Sequence, residues 1–326
     1  MQYVNEIQIN KRKKNEIIFS TIRRNNRIYI YRNALAAVFE QPDKFFAPFI
    51  GTSQNKKFSN KEVRDINPEN NKINILIPQL MTKQTDQALS AMSKLKDYGY
   101  TEVNINAGCP SGTVVSKGRG SGLLKNLEDL DILLDKMVNE SGMEISVKTR
   151  IGMYEPEEFY EILEIYNKYN LKELIIHPRV REEFYNNTPN LEVFEYAYKN
   201  SKNKLCYNGD VNSVDDYNKI TKRFPNIDSV MIGRGAITNP NIFSEIRGGE
   251  RVTKEKLYRF NEIIYNDYKE VMSGDRNLLF KMKEAWRYMS PLFENYEKNW
   301  KRIKKANDLK HFNSAIEEMF NCDIIN

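Results

Sequence analysis

Cys109 follows a run of alternating apolar residues, Val103 to Ala107. Pro110 comes next, and then a basic, glycine-rich loop with Lys117, Gly118, Arg119, Gly120 and Gly122. A thiol there has two chemistries open to it. With an ordinary pKa of about 8.5 it keeps its proton at neutral pH and serves as an acid. With a strongly depressed pKa it is a nucleophile and a poor acid. The plain alternative, a small buried hydrophobe, fits a cysteine at a strand end before a proline and a glycine-rich loop less well. Other polar and reactive side chains stand where other short apolar runs end: Gln79, Asn106, Lys148, Arg150, His177, Asn208, Asp210 and Arg234. No metal is expected. There are only two histidines, His177 and His311, and the three cysteines, Cys109, Cys206 and Cys322, are far apart and form no C-x-x-C pair.

These positions need a scaffold that brings strand ends together. Apolar runs at 45–50, 73–80, 101–108, 144–150, 173–179, 205–210 and 229–235 alternate with helical segments such as TDQALSAMSKLKDYGY and EPEEFYEILEIYNKYN. Short runs, mostly rich in β-branched residues, read as buried parallel strands, and the repeated strand–helix unit reads as a parallel α/β fold. A weaker run, EIIF at 16–19, makes eight. Eight units over about 250 residues favour a closed (β/α)8 TIM barrel, whose active sites lie at the C-terminal ends of the strands. An open doubly wound sheet is the rival, but no G-x-G-x-x-G follows an early strand. After residue 247 the pattern becomes helical, over 254–273, 278–292, 296–306 and 313–321. The expected division is a barrel domain, 1–247, and a small all-α helical bundle, 248–326. The bundle carries Lys298, Lys301, Arg302, Lys304 and Lys305 with aromatics interleaved.

The chain has 326 residues, a formal net charge of +6 and 40% apolar residues, enough for a sizeable core. The basic excess permits a polyanionic partner without demanding one. No apolar run approaches the ~18 residues of a membrane span, and no segment reads as a signal peptide, so a cytoplasmic protein is expected. A monomer is expected.

The stretch NINAGCPSGTVVSKGRGSGLL resembles the active-site motif of the tRNA-dihydrouridine synthases. IPQL, SVKTR, IIHPR with Tyr185, YNGDV and MIGRG follow in the family's order. The resemblance covers about residues 29–290. It implies an FMN-binding barrel, a helical domain that helps hold tRNA, NADPH as the electron source, and reduction of the uracil C5=C6 bond. It makes Cys109 the proton donor to C5 and gives the base to Asn106, with Arg150 holding a uracil carbonyl or a phosphate. Lys148 is assigned to the N1–C2=O edge of the flavin and Gln79 to its pyrimidine edge. His177 faces flavin or uracil. Asn208, Gly209, Asp210, Gly233 and Arg234 are assigned to the FMN phosphate. Lys117 and Arg119 are candidates for the tRNA backbone, and the loop glycines look like a phosphate cradle.

The N-terminus departs from the pattern. The family's first strand is followed by a turn of the type A-P-M-x-G-x-T, whereas residues 20–27 read STIRRNNR. Bulky Arg23 and Arg24 replace small residues that would lie under the flavin, so residues 1–28 are atypical. Under one choice of codons, Arg23 to Ile28 read one nucleotide later spells Glu-Gly-Ile-Thr-Gly, close to the family's turn. Two other functions stay open: a tRNA-binding homologue with a damaged flavin site, and another FMN barrel oxidoreductase acting on a small molecule.

Overall fold

The computed structural model describes residues 15–20, 28–52 and 57–325. The atypical turn at 21–27 lies outside the described residues. All eight expected strands form: β1 (Glu16–Phe19), β2 (Lys44–Gly51), β3 (Leu76–Met81), β4 (Glu102–Ala107), β5 (Glu144–Arg150), β6 (Glu173–His177), β7 (Leu205–Tyr207) and β8 (Ser229–Ile232). They close in sequence order, with β1 parallel to both β2 and β8. The weakest run, EIIF, is the strand that closes the ring.

Side chains alternate across a strand, so every second residue faces the barrel axis. The register stacks Glu102 beside Glu144, Asn104 beside Ser146 and Asn106 beside Lys148. On the next strand Ser146 meets Glu173, Lys148 meets Ile175 and Arg150 meets His177. The interior is therefore layered. An apolar plug of Ile18, Phe46, Ile77, Ile175, Cys206 and Met231 fills the middle. Below it, at the strand N-termini, the Ser146 hydroxyl donates to Glu102 Oε1 (2.8 Å), Ser229 to Glu173 Oε1 (2.5 Å), and Lys44 pairs with Glu16 (2.8 Å). Burial pushes the Glu173 pKa up to about 7 despite nearby Lys44. Above the plug stand the polar strand ends. Pro48 interrupts β2 where its register with β3 shifts, as a residue without an N–H requires.

The outward faces pack on the surrounding helices in one continuous apolar core. From residue 254 on, helices occupy Lys254–Val271, Asp275–Met289, Tyr296–Lys305 and Leu309–Phe320, close to the expected spans. Their own centre is Trp286, Phe293 and Phe320, with the indole N–H donating to Asn261 Oδ1 (2.9 Å). Phe260 packs edge-on against Tyr31 of the helix Ile28–Val38 and against Phe39 just after it, at 5.2 and 5.5 Å between ring centroids, so the helical segment is seated on the barrel wall. Among the described residues no helix is long and apolar enough to cross a membrane, and no cluster of three or more His, Cys, Asp or Glu could hold a metal.

Candidate active site

Asn106 ends the inward row of β4 and organises the Cys109 turn. Its Oδ1 accepts from the backbone N–H groups of Gly108 (3.1 Å) and Cys109 (2.9 Å). Those two donors fix which side of the amide is oxygen. Nδ2 is therefore left to donate to Gln79 Oε1 (2.7 Å), Gln79 Nε2 to Asn104 Oδ1 (2.8 Å), and Asn104 Nδ2 to Ser146 Oγ (3.1 Å). The chain ends on Glu102 at the barrel floor. One run of oriented hydrogen bonds thus ties the Cys109 turn to the barrel interior and sets the amide of Gln79 as well as that of Asn106.

Lys148, two residues before the end of β5, reaches the same space. No protein group pairs with its ammonium among the described residues. Burial, and then the charge of Arg150, lower its pKa to about 8. Arg150 is fully buried, and most of its donors are committed to backbone: Nε to Gly108 O (3.0 Å), Nη1 to Val180 O (2.8 Å) and Nη2 to Phe184 O (2.5 Å). It straps the Cys109 turn to the segment after β6, a bracing duty the sequence did not reveal. Burial, then the charges of Arg150, Lys148, Arg179 and Arg234, hold the His177 pKa well below its usual value, so the ring is neutral.

Asp210 is shared by two guanidiniums. Arg179 grips it with Nη1 (3.0 Å) and Nη2, and Arg234 Nη2 lies at 2.6 Å. Burial alone would raise the Asp210 pKa, but these cations outweigh it and hold it low. Tyr185 lies over the group, its ring 5.6 Å from the Arg150 guanidinium, 5.1 Å from that of Arg234 and 6.0 Å from the His177 ring. Asn208 spends its Nδ2 on the Met231 carbonyl (2.9 Å).

These side chains converge on a cavity of about 880 Å³ at the C-terminal mouth of the barrel. Gln79, Asn106, Cys109, Lys148, Arg150, His177, Asn208, Gly209, Asp210, Gly233 and Arg234 all line it. Lys117 and Arg119 do not. Lys117 is exposed on the outer loop, and Arg119 Nη2 donates to the Thr52 carbonyl (2.7 Å). Gly120 and Gly122 serve close packing: a Cβ would meet the Cys109 carbonyl oxygen at 2.8 Å in one and that of Val115 at 2.8 Å in the other. Sequence reasoning missed Arg179, although it ends the same run as His177. It also missed Arg287 and Tyr288 of the helix Asp275–Met289, which line the cavity from the helical segment. No local signal could have placed those two at the barrel mouth.

The volume lies within the range of cofactor and ligand pockets. Two observations fit it to a flavin nucleotide. Lys148 faces the space with a charge that no group among the described residues answers. Among the described residues a Cβ at Gly233 would meet no atom nearer than 3.9 Å, so a side chain there would point into the cavity.

Known proteins agree with this architecture. The chain is 29% identical over 242 residues to a probable tRNA-dihydrouridine synthase of Staphylococcus aureus strain Mu50, covering 71% of this chain and 72% of that protein. It is 28% identical over 192 residues to the NAD(P)(+) tRNA-dihydrouridine(47) synthase of Saccharomyces cerevisiae strain YJM789, covering 52% of this chain and 28% of the yeast protein. In fold it is similar to the old yellow enzyme homologue of Zymomonas mobilis, with a TM-score of 0.53 at 12% identity over 75% of this chain and 92% of that one. The family model for dihydrouridine synthase (Dus) matches residues 39–323, and the chain belongs to that family.

Proposed function

We propose that this protein is an FMN-dependent oxidoreductase that reduces the C5=C6 bond of a uridine in tRNA, with NADPH as electron donor. The observation that carries the proposal is the convergence of the Cys109 turn, the Gln79–Asn106 amide pair and the unanswered Lys148 cation on one cavity at the barrel mouth. Family membership and the names of the relatives support tRNA as the substrate and a nicotinamide nucleotide as the reductant.

FMN, held in this cavity, would supply the hydride that C6 of uracil requires. Cys109 gives the proton that C5 takes up, and the thiolate left behind lies within the field of Lys148 and Arg150. Asn106 and Gln79, their amides fixed by the chain of bonds below them, turn N–H donors toward the ligand edges. Lys148 would set positive charge against the pyrimidine edge of the cofactor, and His177 would contact the flavin or the base. Gly209, Gly233 and Arg234, with Asn208 and Asp210 shaping the turn behind them, hold the cofactor phosphate.

The substrate base must leave its stack to enter the cavity, at a cost of a few kcal/mol. Lys117, and Arg119 with the donors Thr52 leaves it, meet the tRNA backbone at the loop. The helix Tyr296–Lys305 turns Lys298, Lys301, Lys304 and Lys305 outward while Asn299 and Ile303 face the core, and this basic face is suited to phosphates. In this reading residues 1–247 are the catalytic domain and 248–326 the tRNA-holding domain, in the cytoplasm.

The test is mass mapping of dihydrouridine in tRNA from cells with and without this gene, followed by reconstitution with purified protein, FMN and NADPH. Loss of dihydrouridine at one or more positions, restored by the protein, is expected. A colourless protein that binds tRNA but takes up no FMN would instead favour a non-catalytic tRNA-binding homologue.

A further inference from the structure

We propose that Arg179 is a positioning residue that locks His177 as the ring protonated on Nδ1, so that the cavity meets a hydrogen-bond donor there and not an acceptor. The inference deepens the proposed function, on which its meaning for flavin or uracil rests, but the geometry stands apart from it.

A guanidinium has five N–H donors and no acceptor. Arg179 Nη1 lies 3.0 Å from His177 Nε2. The contact is a hydrogen bond only if Nε2 accepts. A neutral ring that accepts on Nε2 carries its proton on Nδ1. The opposite tautomer, or an imidazolium, would set N–H against N–H inside a buried site.

Arg179 cannot turn away to relieve such a clash. It is fully buried, and each of its donors has a partner: Nε the Asn186 carbonyl (2.9 Å), Nη1 His177 and Asp210 Oδ1 (3.0 Å), Nη2 the Asn187 carbonyl (2.5 Å) and Asp210 Oδ2. The two-point grip on Asp210 fixes the guanidinium plane. Two of the residues it holds, Asn187 (φ 58°) and Asp210 (φ 39°), sit in left-handed backbone, where strain persists only under strong local restraint. The low pKa of His177 agrees with a neutral ring.

His177 lines the cavity, and among the described residues nothing accepts from its Nδ1. The site therefore offers one donor at this point. It selects a ligand with a carbonyl oxygen or an unprotonated ring nitrogen there, and rejects one that presents an N–H.

The chain has only two histidines, so a histidine-selective 15N label gives two rings to assign. His311 is exposed on the helix Leu309–Phe320, and a His311→Gln variant identifies its signals. Long-range 1H–15N correlation on the full chain without cofactor is expected to show His177 Nε2 unprotonated and Nδ1 protonated. A protonated Nε2, or a charged ring, would overturn the proposal. Arg179→Met is expected to release the Nε2-protonated form. A folded Arg179→Met that keeps a pure Nδ1–H ring would show that Arg179 is not the cause. If that variant does not fold, a second pair decides. Asparagine places an N–H where Nδ1–H lies, and glutamine reaches to Nε2. His177→Asn should keep roughly tenfold more uridine reduction than His177→Gln, and the reverse order would overturn the assignment. Because the wild-type tautomer is read from the nitrogen spectrum without turnover, a wrong tautomer there leaves the uridine-reductase reading standing. Equally, a correct tautomer in a protein that makes no dihydrouridine sinks only that reading.

Discussion

Gly120 lies so close to Cys109 that a Cβ on it would stand 2.9 Å from the cysteine Cβ and 2.8 Å from its carbonyl oxygen. Its φ of +58° is itself a conformation that favours glycine. Ser121 then holds the same carbonyl with its N–H (3.1 Å) and its hydroxyl (3.0 Å). The glycine-rich loop is a bracket for the thiol.

Gly120→Ala should therefore cost about 1–3 kcal/mol of stability through strained backbone and overpacking. It should also move Cys109. A displacement of about 1 Å at a reacting group can cost on the order of 10²-fold in turnover. Thermal unfolding and single-turnover uridine reduction read the two effects separately. An alanine variant with wild-type turnover would show that the bracket is not needed.

Cys109→Ala should leave FMN occupancy, read from the flavin absorbance, unchanged and lower uridine reduction by roughly 10²–10⁴-fold, the usual worth of a placed general acid. Unchanged product formation would remove Cys109 from the role assigned to it.

Lys148 loses its proton near pH 8, because burial and the Arg150 charge disfavour the ammonium. Affinity for FMN should weaken as pH rises through about 8, and Lys148→Met should bind weakly with no break at that pH. The linkage for the empty protein runs the other way. Between pH 8 and the ordinary lysine range the unfolded chain binds the proton that the folded one has lost, so this group makes stability rise with pH there. Fluorescence titration across pH 7–9.5 tests the first statement and urea midpoints the second. Wild type and Lys148→Met sharing one pH profile would be incompatible with both.

Glu173 on the barrel floor has its pKa raised to about 7, with burial the main cause. Its Oε2 is buried without a hydrogen-bond partner among the described residues. Between the ordinary glutamate value and pH 7 the folded state holds a proton that the unfolded state releases. Its contribution to stability is therefore present at low pH and is lost as pH rises through 7. Glu173→Gln should remove that slope and be the more stable protein at pH 8, by about 1–3 kcal/mol. Urea denaturation of both proteins at pH 5 and pH 8 decides it. A variant less stable than wild type at pH 8 would mean the ionised carboxylate is better compensated by Lys44 than its burial suggests.

The barrel was legible because buried parallel strands announce themselves in short β-branched runs, and because a period of two sends the polar members of a run inward at its end. Asn106, Lys148 and His177 could be placed at the mouth on that ground alone. What each side chain does there was less legible. Arg150 and Arg179 look alike as cations at strand ends, yet both are taken up by backbone carbonyls or by Asp210. Whether an arginine faces ligand or braces a turn depends on where distant carbonyls fall. Arg287 and Tyr288 show the same limit at longer range. Their helical periodicity fixes a face of their own helix, and only the docking of that helix on the barrel puts that face at the cavity.

The cavity wall is drawn from residues as far apart in sequence as Ser20 and Tyr288, and the first strand has no eighth strand to pair with until Ser229–Ile232 exists. At roughly 5–20 residues per second, the interval between their appearance on the ribosome is on the order of tens of seconds. Until Ser229–Ile232 emerges, the edge of Glu16–Phe19 that pairs with it has no partner strand. The pocket therefore has no complete wall until residue 288 has cleared the exit tunnel, and a ligand that needs the whole cavity can be held only after that point.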